Sequence, residues 1–350
     1  MSSDRAAICG YWSLIRVGMT FMVGIMAIVV GIDEAGYGPI LGPLVVSASV
    51  FEAPDACLTR SMWDLLRRSV CKKLAGSSGR IAINDSKKLH TKRGDNDALQ
   101  RGVLAGVAAV GAGALPETVG PLLAALDCGG TEGEARFYPW YRGAVADWPL
   151  RYDRDDILTS SQALVQDMAG QEMGLLGLWC RPMLAGRFNL MVEGAKNKAT
   201  VLFAQVSGLI HQAFERYGAQ ERNLQILVDR LGGRSHYRSQ LQRLYPEMAM
   251  KILKEEGMVS SYQLRGGGRQ MKIHFLAKGD DRHLPVALAS MVSKTVRELF
   301  MEMLNAYFSG LCPEVAGTAG YYQDGRRFLA EIGAVLDPGL MPKELLVRQR

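Results

Sequence analysis

Runs of apolar residues separated by short polar segments begin near residue 26 and predict alternating strands and helices. Two β-branched runs, Met26–Val30 and Leu41–Phe51, follow one another with glycine and proline between them. This composition favours strands, and the short connection predicts an antiparallel hairpin. A shorter apolar run at Ile81–Ile83 precedes the polar segment Asn84–Leu89, which is typical of a loop.

Two other patterns recur later in the chain. Apolar residues at helical spacing predict helices over Leu99–Val110, Ala199–Tyr217 and Leu284–Tyr307. Continuous apolar runs predict strands over Leu224–Val228, Ser260–Leu264 and Met271–Leu276. A glycine-rich turn joins the last two strands and predicts a second hairpin. The mixture of strands and helices indicates an α/β fold.

Regular patterning stops between residues 111 and 171, where glycines and prolines interrupt the chain. This stretch holds an aromatic cluster at Phe137, Tyr138, Trp140, Tyr141 and Trp148. Such a cluster more often forms a local core than a platform for nucleobases. We therefore expect an insertion or small subdomain over 111–171, between the two parts of a main domain at 26–110 and 172–335.

The two ends of the chain are assigned to separate segments. Residues 1–25 contain Arg5 and Arg16 ahead of an apolar run and imitate a signal peptide, but no small-residue cleavage site follows. We expect a leader there that is dispensable, with Met22 or Met26 as the start of translation. Residues 336–350 are expected to form a C-terminal tail whose basic end is solvated.

Composition narrows the class of protein without identifying it. The chain has 350 residues, of which 48% are hydrophobic and 22% charged, so it is neither disordered nor fibrous. Its formal net charge of +6 is compatible with a polyanionic partner and equally with none. The six cysteines include no C-x-x-C pair, which argues against a zinc site and favours reduced thiols in a cytoplasmic protein. Beyond the leader, no segment is long and apolar enough to suggest a membrane span.

Two adjacent carboxylates, Asp33 and Glu34, directly follow the first predicted strand. Carboxylates at the edge of an apolar core are costly unless they are paired or bind a metal. Gly36 and Gly38 lie just beyond them and let the backbone turn and approach a phosphate or sugar closely. The run therefore indicates a cation site beside a main-chain contact, although a solvated turn is the commoner meaning of such a pair alone.

Two more acidic residues occupy comparable positions, Asp229 at the end of a predicted strand and Asp280 just before the long helix. Strand ends meet at one edge of an open α/β sheet, so we expect these side chains to lie beside Asp33 and Glu34. Oxygen ligands of this kind suit Mg²⁺ or Mn²⁺, and two such ions support phosphodiester cleavage. Asp281 is the first substitute if Asp280 is not the ligand.

Several motifs, in this order, resemble those of the type 2 ribonucleases H, the family that contains ribonucleases HII and HIII. They are the Asp33-Glu34-Ala35-Gly36-Tyr37-Gly38 turn, the Asp85-Ser86-Lys87-Lys88-Leu89 segment, the strand ending in Asp229, and the segment from Asp280 through Ala289-Ser290-Met291 to Lys294. Gly320-Tyr321 is similar to the family's C-terminal Gly-Tyr motif. The resemblance covers residues 26–95 and 186–330.

The resemblance implies a ribonuclease H-like fold, a mixed sheet with helices on both faces, and hydrolysis of the RNA strand or of embedded ribonucleotides in RNA–DNA duplexes. It implies that two Mg²⁺ or Mn²⁺ ions are bound by the catalytic residues Asp33, Glu34, Asp229 and Asp280. Substrate binding is then assigned to Gly36, Tyr37, Gly38, Asp85, Ser86, Lys87, Lys294 and Tyr321. We expect a cytoplasmic monomer whose products carry 5′-phosphate and 3′-hydroxyl ends.

Tyr37 departs from the family pattern, because the Gly-x-Gly turn typically carries arginine in ribonuclease HII and commonly lysine in HIII. The backbone donors of the turn remain, so we expect ribonucleotide recognition with an altered junction preference. Elsewhere, Lys196-Asn197-Lys198 resembles a short Asn-Lys element found mainly in the HIII branch.

Simpler interpretations stay open at this point. Asp85 is as consistent with a helix N-cap as with a substrate contact. Lys294 and Arg297 are consistent with the solvated face of a helix. For the whole protein, the alternatives are a catalytically silent binder of RNA–DNA hybrids and a structure-specific DNA nuclease of the same fold.

Overall fold

The computed structural model describes residues 26–73, 79–89, 97–219, 222–336, 339 and 341–349, so the expected leader at 1–25 lies outside the described residues. The strands are β1 (Met26–Ala35), β2 (Leu44–Pro54), β3 (Val70–Cys71), β4 (Ile81–Ala82), β5 (Gly174–Met183), β6 (Asn223–Asp229), β7 (Ala249–Glu256), β8 (Val259–Gly266) and β9 (Arg269–Leu276). The helices are α1 (Met62–Leu65), α2 (Ser86–Leu89), α3 (Asp97–Val110), α4 (Val119–Ala125), α5 (Thr131–Ala135), α6 (Ala144–Asp147), α7 (Arg154–Ala169), α8 (Ala185–Ala195), α9 (Lys198–Tyr217), α10 (Arg238–Leu244), α11 (Gly279–Arg282), α12 (Leu284–Leu311), α13 (Tyr322–Glu331) and α14 (Lys343–Leu346).

Seven of these strands form one mixed sheet, in the order β5-β2-β1-β6-β9-β8-β7. The central strands β1, β6 and β9 run parallel to one another. The strands on either side, β2 with β5 and β8 with β7, join the sheet antiparallel. The three central strands therefore end at the same edge of the sheet.

Both predicted hairpins are confirmed. β1 and β2 pair antiparallel in a register that sets Asp33 opposite Ser47, and β8 pairs antiparallel with β9. The predicted loop over residues 84–89 is wrong from Ser86 onward, where α2 begins. Asp85 explains this difference, because its carboxylate accepts a hydrogen bond from the Lys87 backbone N–H at 2.9 Å and caps the short helix.

The three predicted helices are confirmed as α3, α9 and α12, each of which extends one or more residues beyond the predicted limits. α12 is the longest of them and carries Pro285 in its first turn, where a missing N–H costs no helical hydrogen bond. Within the described ranges, no helix combines the length and the apolar character that a bilayer-crossing segment needs.

Apolar side chains cover the sheet on both faces, and each face has its own helices. On one face, Val29, Val45 and Phe51 pack with α3 and α12. On the other face, Ile28 and Ile32 pack with α9. Neighbouring residues of β1 serve opposite faces because side chains alternate along a strand. The expected fold class, a mixed α/β sheet flanked by helices on both faces, is confirmed.

Residues 111–171 form the helices α4 to α7, and their apolar side chains join the core on the α12 face of the sheet. Tyr141 meets Phe300 of α12 edge to face, with ring centroids 4.9 Å apart, and Trp140 lies 5.9 Å from Phe308. Tyr138, Trp140 and Tyr141 therefore belong to the core, as expected, whereas Phe137 of the same cluster is 60% exposed. The division of the chain into an insertion and a main domain stays a prediction.

Two strands and one terminal contact were not anticipated. β7 is an exposed edge strand without alternating burial, and β5 contains Pro182, so neither has the pattern that predicts a strand. The expectation of a solvated basic end is wrong for Arg348, which is 2% exposed, and the apolar Leu346 beside it is equally buried. Arg348 lies beneath the turn that follows β1 and bonds its carbonyls.

Candidate functional site

Three of the predicted acidic residues lie at the carboxyl edge of the central parallel strands. Asp33 follows Ile32 in β1, whose register partner in β6 is Val228, the residue before Asp229. Asp280 lies in α11, which begins shortly after β9 and contacts β6. The strand register therefore brings these carboxylates together, although they are far apart in sequence.

Asp33 is the most deeply buried of the group, with 6% of its surface exposed. One carboxylate oxygen accepts a hydrogen bond from the Glu34 backbone N–H at 2.7 Å, and the main-chain carbonyl accepts one from the Ser293 hydroxyl at 3.0 Å. Burial raises the pKa of Asp33 well above its usual range. The charges of Glu34, Asp229 and Asp280 raise this pKa further, so Asp33 competes strongly for any positive charge.

Glu34 has a buried carboxylate oxygen without a hydrogen-bond partner. Burial raises the pKa of Glu34 to about 7, and the charge of Asp229 adds to this while the ammonium of Lys87 opposes it. The Oε2 atom is buried and has no hydrogen-bond partner among the described residues. Because a buried, unpartnered carboxylate oxygen is costly, this atom indicates that a cation belongs here.

Asp229 and Asp280 complete the group from β6 and α11. Burial raises the pKa of Asp229, although the Gly279 N–H, which donates to its Oδ1 at 2.8 Å, opposes the shift. Burial also raises the pKa of Asp280 to about 6. The neighbouring Asp281 forms an ion pair with Lys88 instead. Of the two adjacent aspartates, Asp280 therefore belongs to the carboxylate group.

Ser86 reaches this group through α12. The hydroxyl groups of Ser86 and Ser290 share a hydrogen bond of 3.1 Å. Ser290 also bonds the Asp33 carboxyl, which partly offsets the effect of burial on the pKa of Asp33. The start of α2 is thus docked on α12 at the point where β1 ends.

Lys87 places its ammonium among the carboxylates. Burial lowers the pKa of Lys87, but the charges of Asp85, Asp33 and other acidic groups outweigh burial and raise it overall. Asp85, which caps α2, also raises the pKa of Asp280. The N-cap interpretation of Asp85 is therefore confirmed, and the same residue contributes a further negative charge at the rim of the site.

The glycine turn after β1 is held from beneath by Arg348. Gly36 has a φ of +86°, a conformation that favours glycine, and its carbonyl accepts a hydrogen bond from Arg348 Nη2. The same nitrogen donates to the carbonyl of Pro39. Burial lowers the pKa of Arg348 to about 9, and the nearby Arg297 adds to the effect. Two buried guanidinium groups, those of Arg348 and Arg297, therefore lie under the same turn.

Arg297 links this turn to the segment that carries Tyr321. It is 1% exposed, so its interpretation as part of a solvated helix face is wrong. Its Nη2 donates to the carbonyls of Leu41 at 3.2 Å and Ala319 at 3.1 Å. The Gly320 carbonyl in turn accepts the backbone N–H of Leu41 at 3.2 Å. Tyr321, which is 55% exposed, is thus fixed beside the glycine turn.

A cation lies against Tyr37 even though the turn itself carries none. The Lys198 ammonium sits 5.0 Å from the centre of the Tyr37 ring, within cation–π range. Asn197 caps α9 by accepting the N–H two residues on at 2.8 Å, and so places Lys198 in the first turn. Burial raises the pKa of Tyr37, the charge of Glu34 adds to the effect, and Arg234 opposes it.

Lys294 is engaged within its own helix. Its ammonium lies 2.5 Å from a carboxylate oxygen of Glu298 in the next turn of α12, and the two side chains are 17% and 18% exposed. The ammonium keeps further N–H donors, so this ion pair does not exclude a contact with a substrate backbone. The proposed role of Lys294 in substrate binding therefore stays a prediction.

The four carboxylates have the ligand chemistry that suits a hard divalent cation, but their side chains are not arranged as a metal site. The four side chains offer only oxygen ligands, which suit Mg²⁺ and Mn²⁺, and Glu34 Oε2 lacks a partner. Across the described ranges, no three His, Cys, Asp or Glu side chains are grouped so that they could hold a metal ion. Backbone N–H groups bond one oxygen each of Asp33, Asp229 and Asp280, and every one of these carboxylates keeps a second oxygen that could bind a metal.

Sequence reasoning missed the two guanidinium groups under the turn. Arg297 was assigned to a solvated surface, and Arg348 to a solvated tail. One signal was available, because residues 36–43 are rich in glycine and proline, and Pro39 and Pro43 supply no N–H donor to the turn. Buried carbonyl oxygens need donors from elsewhere, and arginine supplies several in a fixed plane.

Comparison with known proteins gives similarity to solved structures alone. No protein-family model matches the chain, and no curated protein matches it. The chain is similar to the ribonuclease HII of Archaeoglobus fulgidus, solved as a complex with PCNA, at 16% identity over 92% of this chain and 94% of that chain, with a TM-score of 0.40. It is similar to ribonuclease H2 from Pyrococcus horikoshii OT3 at 15% identity, 90% and 92% coverage and a TM-score of 0.42.

Ribonuclease H3 from Aquifex aeolicus is also similar to the chain, at 12% identity, over 91% of this chain and 71% of that one, with a TM-score of 0.38. Identities and TM-scores this low assign no activity, metal or substrate to the present chain. Its chemistry therefore has to be inferred from its own residues, namely four carboxylates at one sheet edge beside a glycine turn, Lys87 and Tyr321.

Proposed function

We propose that this protein is a metal-dependent endoribonuclease that hydrolyses the RNA strand, or an embedded ribonucleotide, of RNA–DNA duplexes and leaves 5′-phosphate and 3′-hydroxyl ends. The observation that carries the proposal is the meeting of Asp33, Glu34, Asp229 and Asp280 at one edge of the sheet. The pKa of each is raised by burial, and those of Asp33, Glu34 and Asp280 are raised further by their neighbours' charges. Such mutual repulsion destabilises a fold unless a cation relieves it.

The four carboxylates are proposed to act as one ligand set. Two Mg²⁺ or Mn²⁺ ions, when bound, supply an activated water and stabilise the leaving oxygen. Asp33 would be the central member of the set, since the charges of all three others raise the pKa of its carboxyl. Glu34 contributes the otherwise unpartnered Oε2, and Asp229 and Asp280 complete the set.

Groups around the carboxylates are proposed to position the substrate. Lys87 offers a positive charge to the phosphate backbone beside the acidic group, and Ser86 lies next to it on α2. The turn at Gly36, Tyr37 and Gly38 offers main-chain donors to a ribose 2′-hydroxyl, the group that separates RNA from DNA. Tyr321 is exposed and offers a ring against a neighbouring sugar.

The proposal is tested with labelled duplexes that contain no ribonucleotide, a single ribonucleotide or an RNA tract, each incubated in Mg²⁺ and in Mn²⁺. We expect metal-dependent cutting of the ribonucleotide-containing duplexes and loss of cutting in Asp33→Asn. Asp281→Asn is the matched control, because this half-buried neighbour pairs with Lys88 and lies outside the proposed ligand set. It should retain cutting.

The outcomes separate the alternatives. Binding of hybrids without cutting in either metal would replace the enzyme by a silent hybrid-binding protein. Cutting of pure DNA at structured sites would replace it by a DNA nuclease. We further propose that the protein acts as a monomer in the cytoplasm, which light scattering of the purified chain and fractionation of cells can check.

A further inference from the structure

The turn at residues 36–43 directs its carbonyl oxygens inward, towards two buried cations. Arg348 Nη2 donates to the carbonyls of Gly36 and Pro39. Arg297 donates to the carbonyls of residues 41 and 43, at 3.2 and 2.7 Å. The turn is therefore wrapped around guanidinium groups, and Arg348 holds the part that contains the Gly-Tyr-Gly run.

The orientation of one amide follows from this contact. In a trans peptide the carbonyl and the N–H of the same unit point in opposite directions. None of the described peptide bonds is cis. Since the Gly36 carbonyl points at Arg348, the Tyr37 N–H in the same peptide points to the opposite side of the turn. Gly38, the residue after Tyr37, is exposed, so that side is open to a ligand.

Arg348 is an unusual choice for a purely structural anchor. It is 2% exposed, and no carboxylate among the described residues forms an ion pair with it. Its Nε and Nη1 atoms are buried without hydrogen-bond partners. A buried charge with unpaired donors is more costly than an apolar side chain of similar volume. The only hydrogen bonds of this guanidinium among the described residues are those to the carbonyls of Gly36 and Pro39, which points to a role in fixing the shape of the turn.

The segment around Arg348 is fixed well enough to perform such a task. The backbone N–H of Arg348 donates to the carbonyl of Ile40 at 2.8 Å, and Val347 forms a β-bridge with Leu41. Asn189 of α8 donates to the carbonyl of Val347 at 2.8 Å. The guanidinium thus reaches the turn from a segment that is tied both to the turn and to α8.

We propose that Arg348 is a positioning residue for substrate recognition, which fixes the Gly36–Pro39 turn so that the Tyr37 N–H faces the substrate sugar. This inference rests on the proposed function, because it assigns a ribose contact to that turn. Arg348 itself touches no substrate. It acts through the two carbonyls that it bonds, and it therefore governs discrimination between ribose and deoxyribose more than the chemical step.

The variant that tests the inference is Arg348→Met. Methionine fills similar space without a charge, and both bonds to the turn are lost. The loss of the two bonds lowers stability, so binding is measured under conditions in which circular dichroism shows the variant folded. Lys343→Ala and Gln349→Ala are matched controls, since each removes an exposed side chain from the same segment. Binding is measured in an Asp33→Asn background, which prevents cutting, to duplexes that carry one ribonucleotide or none.

We expect the ratio of the two affinities to fall about 3- to 10-fold in Arg348→Met and to stay unchanged in both controls, because one hydrogen bond to a hydroxyl contributes about 0.5–1.5 kcal/mol. A merely structural role would lower both affinities together and leave their ratio intact. Hydrogen exchange of residues 36–40 is followed in the same proteins, and it should quicken only in Arg348→Met.

The two proposals fail in distinguishable ways. A wild-type protein that does not discriminate the duplexes at all would overturn the proposed function and this inference with it. A wild-type protein that discriminates, combined with an unchanged ratio in Arg348→Met, would overturn the inference alone. Unchanged exchange of the turn in Arg348→Met would show that Arg348 does not anchor it, and would overturn the inference on its own.

Discussion

Gly31 offers the sharpest test of how closely β1 and α12 are packed. A Cβ added at this position would lie 2.1 Å from the Pro285 carbonyl carbon and 2.3 Å from the Val286 nitrogen. Both are backbone atoms in the first turn of α12, so they cannot rotate away as the end of a side chain can. The adjacent Ser49 hydroxyl donates to the Pro285 carbonyl at 2.7 Å and fixes the same turn.

The size of the effect of Gly31→Ala follows from these distances. Non-bonded carbon atoms need about 3.5 Å or more, so the start of α12 must move away from β1 by about 1.5 Å. Overpacking of a tight core typically costs about 1–3 kcal/mol, and the rigid backbone contacts place this variant near the upper end. The same movement separates Asp33 from Ser290, so cutting of the hybrid should fall by about 100-fold.

Urea denaturation measured by circular dichroism gives the stability, and the duplex assay gives the activity. Gly194→Ala is the matched control, because nothing lies within 4 Å of a Cβ at this helical glycine. It should stabilise the protein by about 0.5–1 kcal/mol, since alanine loses less chain entropy on folding. A Gly31→Ala midpoint equal to that of the wild type would refute the close packing of β1 on α12.

Three further outcomes are expected. Burial and the charge of Asp229 hold the pKa of Glu34 at about 7 in place of 4.5, so the folded metal-free protein keeps a proton that the unfolded chain releases between these values. Glu34 alone should therefore lower the stability by about 3 kcal/mol from pH 4.5 to 7, and Asp280, whose pKa is raised to about 6, should add to this fall. Glu34→Gln should make the profile less steep in urea titrations, and an unchanged slope would contradict the reasoning. Asp167→Ala should cost about 2–3 kcal/mol in the same assay, because Asp167 accepts two backbone N–H groups and a hydroxyl at 2.9–3.1 Å from residues 68 and 69, and Asp167→Asn should cost less. Tyr37→Arg replaces a ring under Lys198 by a cation, so the dependence of hybrid affinity on salt should steepen by about one phosphate contact, and an unchanged slope would argue against substrate at this position.

The parts of the fold that the sequence predicts are those whose apolar pattern is regular along an element. β1 is buried over most of its length, β6 buries every second residue, and α12 keeps its apolar positions in helical register. From such elements the position of Asp33 at one strand end and Asp229 at another follows directly. Their convergence needs only the rule that parallel strands end at a common edge.

The parts that could not be predicted depend on contacts between distant segments. β7 has little burial and is held mainly by its pairing with β8, so its own composition does not reveal it. Arg297 and Arg348 are long polar side chains, which are normally exposed, and only the folded turn shows that its carbonyls require them. Lys198 is similar, because its approach to Tyr37 depends on the start of α9 lying beside β1.

The spacing of three residues on α12 has a consequence for how this protein can change. Ser290 forms a hydrogen bond with Ser86, Ser293 with the end of β1, and Arg297 with the glycine turn. One stripe of the helix therefore positions all three of these segments. A single inserted or deleted residue between Leu284 and Ser290 would turn this stripe by about 100°. That one change would then abolish both catalysis and substrate recognition. Length variation should therefore be tolerated in surface loops and not in this helix.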